Sequence, residues 1–149
     1  KKSDKKDLTK MALAYPNVYV ATISLGANYN QTLKAFEEAY AHKGPSLIIA
    51  YTPCISHGIK GGMGNSVKEE KLATECGYFP LFRYKPDEQK LYLDSKKVDF
   101  NLYDEFLENE TRFSMLKVVN PEKADELLKS NKENAIKRFN YYKELSEKS

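Results

Sequence analysis

Residues 18–25 read Val-Tyr-Val-Ala-Thr-Ile-Ser-Leu, and no charge interrupts them. A run that is β-branched and aromatic, without a polar face, suits a strand covered on both sides, as inside a parallel sheet. Gly26-Ala27-Asn28 then turns the chain, and Asn28 is placed to cap a helix with Gln31 three residues on. Leu33, Phe36, Ala39 and Tyr40 mark one apolar stripe before Gly44-Pro45 ends that helix. Ser46 to Tyr51, SLIIAY, is a second uncharged strand. Strand, helix, strand is a βαβ unit with parallel strands. The expected fold class is therefore α/β, a partial parallel sheet with flanking helices.

The flanking segments extend this frame. Leu8, Met11 and Ala12 at i, i+3, i+4 predict a short amphipathic helix between Ser3 and Tyr15, capped by Ser3 and stopped before Pro16. Ser66 and Glu69 form a capping-box pattern for a helix that runs to Gly77 with Leu72 and Ala73 facing inward. Phe79 to Tyr84 and Leu91 to Leu93 read as a short hairpin joined across Lys85–Lys90. A short helix is expected over Asn101 to Glu108, and Phe113 to Val119 is an apolar link of open type. Asn120 caps and Pro121 starts a long carboxyl-terminal helix reaching Ser149, with a weak apolar seam through Ala124, Leu128, Ala135, Tyr142 and Leu145.

At 149 residues the chain has the size of one domain. Its 24 Lys and Arg against 21 Asp and Glu, net +3 and interleaved, argue against a nucleic-acid partner. No apolar run approaches the ~18–20 residues that cross a bilayer, and no signal peptide opens the chain, so a cytosolic location is expected. Two cysteines, Cys54 and Cys76, fit a reducing compartment. The start at Lys1, without a Met, suits either a piece of something larger or a trimmed small protein.

The segment after the second strand, Thr52 to Asn65, carries the chemistry: Pro53-Cys54-Ile55-Ser56-His57 followed by Gly58, Gly61, Gly62 and Gly64. Ligands of open parallel sheets bind beyond the carboxyl ends of the strands, and Cys54 sits just past one. It reads as a buried small thiol, as a nucleophile if the loop folds His57 back onto it, or as a metal ligand lacking company in this chain. Lys60 among the glycines could face a phosphate, but the spacing matches neither the P-loop nor the dinucleotide fingerprint. Cys76, at a helix tail, reads as a packed thiol, and His42 as a helix-end residue. Tyr78, Phe79, Phe82 and Tyr84 read as core rather than as a stacking platform.

The order of segments resembles the carboxyl-terminal part of pyruvate:ferredoxin (flavodoxin) oxidoreductases. The stretches that carry the likeness are Lys6-Asp7-Leu8 with Met11-Ala12, Val18-Tyr19-Val20-Ala21, Gly44 to Tyr51 with Pro53-Cys54-Ile55, Gly77 to Tyr84, and Leu93-Asp94-Ser95-Lys96. The resemblance implies a fragment of a much larger enzyme that decarboxylates pyruvate, makes acetyl-CoA and passes electrons through [4Fe-4S] clusters to ferredoxin or flavodoxin. It makes residues 1–120 the end of a thiamine-diphosphate-binding domain and 121–149 its long final helix. It assigns Cys54 as one ligand of the cluster nearest the thiamine diphosphate, with the other ligands upstream of Lys1, and no role to Cys76. The Gly-Asp-Gly and Asn-Thr-Gly-Gly-Gln signatures that hold the diphosphate and Mg²⁺ in that family do not occur here. The isolated chain is therefore expected to bind neither cluster nor thiamine diphosphate, to be inactive and to contain no catalytic residue. Its implied partners are the remaining domains of a homodimeric enzyme, pyruvate, coenzyme A and the electron carrier. Two rival readings stand beside this one: a freestanding α/β interaction module, and a cysteine-dependent hydrolase using Cys54 and His57.

Overall fold

The computed structural model describes residues 6–148. Its centre is strand β1 (Tyr19–Ile23), in which every residue is buried. Alternation explains how both faces are covered. Tyr19, Ala21 and Ile23 pack against Ala35 and Ala39 of helix α2 (Tyr29–Ala41), while Val20 packs with Phe82, Leu91 and Tyr142 on the other side. Strand β2 (Ser46–Ala50) lies parallel to β1, Tyr19 opposite Ser46 through Ile23 opposite Ala50.

The hairpin, β3 (Phe82–Lys85) and β4 (Lys90–Leu93), turns through Pro86–Glu88 and Gln89, whose φ is 49°. It does not stand apart from the parallel pair. β3 pairs antiparallel with β1, so the sheet is mixed, in the order β2-β1-β3-β4. Thr22 fixes this junction: its hydroxyl donates to the Pro80 carbonyl at 2.8 Å and accepts from the Phe82 N–H at 3.0 Å.

Helix α3 (Ser66–Glu75) and three short helices, α4 (Tyr103–Asn109), α5 (Thr111–Ser114) and α6 (Leu116–Val119), enclose an aromatic core of Tyr51, Tyr78, Tyr103 and Phe106. The open link at 113–119 is thus helical. Helix α7 (Pro121–Lys148) crosses the aromatic core and the Val20–Phe82 cluster, burying Ala124, Ala135, Phe139 and Tyr142, with Tyr142 stacked on Phe82 at 4.5 Å between ring centroids. The expected seam packs on this chain itself.

Four expectations need correction. Helix α1 (Leu8–Leu13) is capped by Asp7, which accepts from the Thr9 and Lys10 N–H groups; the proposed Ser3 cap lies outside the described residues. Leu8 and Met11 are exposed and Thr9 is buried instead, because its hydroxyl meets Asp7 and Tyr142. In α2 the stripe Leu33, Phe36 and Tyr40 faces outward, and the buried positions are Gln31, Thr32 and Ala35. Gln31 goes inward because its amide donates to the Thr22 carbonyl and to Asp94. Ser66 is the first residue of α3 rather than its cap, and Glu69 is drawn into the interior by Asn109.

Candidate functional site

The loop after β2 holds Cys54 by a closed turn. The Gly58 N–H donates to the Cys54 carbonyl at 2.8 Å, and Gly58 reaches the required φ of 74° without strain because it has no Cβ. This turn folds His57 back, placing its Nδ1 3.1 Å from Cys54 Sγ. The sulfur is partly exposed at the carboxyl end of β2, not sealed in the core. The backbone N–H of His57, its ring, and the backbone N–H of Ser56 stabilise negative charge on sulfur and lower the thiol pKa to about 7.

The loop is clamped from behind. Tyr51 leaves β2 with its N–H on the Ile23 carbonyl at 2.9 Å and its hydroxyl on Glu110 Oε1 at 2.5 Å. Ile59 bridges to Glu110, the Lys60 N–H donates to the Asn109 carbonyl at 2.8 Å, and the Thr111 N–H donates to the Gly58 carbonyl at 3.3 Å. These bonds fix the far end of the loop to the joint between α4 and α5. They also use the amides a phosphate cradle would need: those of Gly58, Lys60 and Gly62 point at protein carbonyls.

Behind the clamp lie carboxylates that the pattern of the sequence did not reveal. Glu110 is fully buried, with Arg112 3.5 Å from its Oε2. Glu69, 4% exposed, accepts from Asn109 Nδ2 at 3.1 Å and leaves Oε1 without a partner. Burial, with the charge of Glu110 nearby, pushes its carboxyl up to about 7. On the far side of the sheet Arg83, 5% exposed, forks onto Asp94 at 2.9 and 3.0 Å and onto Glu38. An alternating strand gives no warning of a buried Arg, since its partners lie 45 and 11 residues away.

The remaining candidates fall where packing puts them. Cys76 is buried, its Sγ 3.6 Å from the Ala73 carbonyl, and burial pushes its thiol up to about 12. His42 ends α2, with Nε2 3.0 Å from the Asn17 carbonyl and Nδ1 3.6 Å from Asp87. Tyr78 and Phe82 are core residues. Among the described residues no group of three or more His, Cys, Asp or Glu is placed to hold a metal ion.

No family model matches the sequence. Curated proteins do, along nearly its full length. The chain is 45% identical over 151 residues to the pyruvate-flavodoxin oxidoreductase of Enterobacter agglomerans, covering 98% of this chain and 13% of the relative. It is 45% identical over 148 residues to the pyruvate:ferredoxin oxidoreductase of Moorella thermoacetica, 96% of this chain and 12% of the relative. It is 44% identical over 152 residues to the mitochondrial pyruvate dehydrogenase [NADP(+)] of Euglena gracilis, 99% of this chain and 8% of the relative. The chain thus matches a segment of these proteins and spans 8–13% of their length.

Proposed function

We propose that this chain is the carboxyl-terminal part of the thiamine-diphosphate-binding domain of a pyruvate:ferredoxin (flavodoxin) oxidoreductase, and that Cys54 supplies one ligand of a [4Fe-4S] cluster. The observation that carries the reading is identity of 45% across 98% of the chain with a protein named for that activity. The acceptor is set by other parts of the polypeptide, since relatives named for flavodoxin, ferredoxin and NADP⁺ share this same stretch. Thiamine diphosphate, Mg²⁺, pyruvate and coenzyme A are likewise taken up outside it, in a homodimeric cytoplasmic enzyme. Among the described residues no helix is long and apolar enough to cross a membrane.

The local chemistry suits the assignment. A cysteine binds the iron of a cluster as its thiolate, and the Cys54 sulfur is partly exposed and already stabilised as an anion by the His57 and Ser56 N–H groups. Hydrogen bonds to a ligand sulfur tune the potential of a cluster, which supplies one-electron transfer when bound. The clamp from Tyr51, Ile59 and Lys60 to residues 109–111 holds the loop that presents the sulfur. One thiolate does not assemble a cluster, so the remaining ligands come from polypeptide outside this chain.

The Cys54–His57 pair also favours a second reading, a thiol nucleophile with an imidazole base. A triad would add a group that orients the base, and among the described residues no side chain or carbonyl bonds the ring of His57 from its other side.

The deciding experiment is Cys54→Ala in the full-length enzyme, with iron content, the electron paramagnetic resonance spectrum of the reduced protein and ferredoxin or flavodoxin reduction measured together. We expect loss of one cluster signal and at least a hundredfold slower electron transfer. Unchanged iron and unchanged transfer refute the role of Cys54.

A further inference from the structure

The loop that carries Cys54 has two roots: it leaves β2 through Tyr51 and enters α3 at Ser66. Both stand on one pair of buried acids. The Tyr51 hydroxyl donates to Glu110 Oε1 at 2.5 Å, and Ile59 within the loop bridges to Glu110. Glu69 lies in the first turn of α3, and its Oε2 accepts from the Asn109 side chain at 3.1 Å. The carbonyl of that same Asn109 accepts the Lys60 N–H of the loop. The two acids therefore lie directly behind the segment that presents the sulfur.

Their surroundings are not equivalent. Glu110 has Tyr51 as donor to one oxygen and Arg112 3.5 Å from the other. Glu69, 4% exposed, has one neutral amide on Oε2 and no partner on Oε1. A buried carboxylate is costly unless its charge is compensated, and compensation does not reach Glu69. The charges that act on it, Glu110 at the joint of α4 and α5 and Glu105 from α4, are both negative. Tyr51 faces it from the end of β2 and Cys76 from the end of its own helix, both as neutral groups. Arg112 is engaged by Glu110 and by the Tyr78 hydroxyl, to which it donates at 2.9 Å. Of the two acids, Glu69 is the one on which a proton removes an uncompensated charge.

We propose that Glu69 serves electron transfer as a proton acceptor: it takes up one proton from solvent as the cluster bound through Cys54 gains one electron, and releases that proton as the electron leaves. The proposal rests on the reading of Cys54 as a cluster ligand. In balance, oxidised cluster, one electron from pyruvate oxidation, the Glu69 carboxylate and one proton give reduced cluster and the Glu69 carboxylic acid. The physical cause is like-charge repulsion. An added electron raises the cost of a carboxylate that already lacks a partner, and at the low effective dielectric of a protein interior such repulsion acts beyond contact distance. Burial and Glu110 bring the Glu69 carboxyl to about 7, so its proton is exchangeable at neutral pH. Uptake of the proton keeps the net charge behind the loop constant while the electron is held.

The test is a redox titration of the full-length, iron-loaded enzyme from pH 6 to 9, following the electron paramagnetic resonance signal that Cys54→Ala removes. A tenfold rise in the proton affinity of Glu69 on reduction lowers the midpoint potential by about 59 mV in all as pH rises across that range. Glu69→Gln keeps a hydrogen-bond acceptor for Asn109 but has no carboxyl to titrate, so its profile should be flat. A profile as steep in Glu69→Gln as in the parent, or a parent potential that does not move with pH, overturns the proton site and leaves the functional reading standing. The infrared difference spectrum of the parent enzyme, reduced minus oxidised, reads the same step without a variant. A carboxylic acid C=O band should appear on reduction as carboxylate bands are lost, and its absence overturns the proposal. Clusters undisturbed by Cys54→Ala defeat the functional reading itself, and the proton site with it.

Discussion

Cys54 Sγ lies 3.1 Å from His57 Nδ1, across a turn closed by the Gly58 N–H on the Cys54 carbonyl. The two cysteines of the chain therefore differ in reactivity. With its pKa lowered to about 7, Cys54 is about half thiolate at neutral pH, so alkylation by iodoacetamide in the cluster-free chain should titrate with a midpoint near 7. Cys76, buried with its pKa pushed up to about 12, should react only after denaturation. Mass spectrometry of the alkylated chain from pH 5 to 9 checks both, and equal labelling of the two thiols contradicts the structure.

Glu69 makes stability depend on pH in a direction opposite to that of a salt-bridged carboxylate. Its pKa rises from 4.5 in the unfolded chain to about 7 in the folded one. Between those values the unfolded chain has released the proton that the folded chain keeps, so the stabilisation is complete below 4.5 and is lost as pH rises to about 7. The loss is on the order of 1–3 kcal/mol. Glu69→Gln keeps an acceptor for Asn109 and removes the charge, so urea unfolding at pH 5 and pH 8 should show a smaller difference than in the parent. An identical pH difference in the variant places the effect elsewhere.

Arg83 joins the hairpin to α2 through Asp94 and Glu38 in a buried setting, and breaking such a pair on one side typically costs ~3–5 kcal/mol. Arg83→Met should lower the unfolding free energy by about that much, because Glu38 and Asp94 lose their shared cation. Arg83→Lys should recover only part of it, since an ammonium cannot fork onto Asp94 while also reaching Glu38. Chemical denaturation of both variants measures this, and a loss below ~1 kcal/mol for Arg83→Met contradicts it.

Gly77 sits after α3 at φ 79°, where an added Cβ would lie 2.5 Å from Phe100 Cε1 and 2.7 Å from Val98 Cγ1. Gly77→Ala should therefore destabilise by about 2 kcal/mol or more, through backbone strain and displacement of Phe100. Gly62, at φ 86° with nothing near its Cβ position, serves as the control for strain alone. Gly62→Ala should cost less than Gly77→Ala in the same urea titration.

The sequence by itself determined the elements that local pattern specifies. These are the uncharged strand at β1, the parallel βαβ unit, the hairpin, the long α7 from Pro121, and the place of Cys54 just beyond β2. Each follows from spacing within one segment, where side-chain period and turn chemistry act over a few residues. Only the tertiary structure decided which apolar faces find a cover and which polar groups find a partner. It set β3 antiparallel beside β1, turned Tyr29, Leu33, Phe36 and Tyr40 of α2 to the outside, and sent Gln31 inward to Thr22 and Asp94. It also buried Glu69 near Glu110, Arg83 between Glu38 and Asp94, and folded His57 back onto Cys54. Periodicity tells which face of a helix is apolar but not what lies opposite it. A buried charge is recognisable only from partners that the fold brings together.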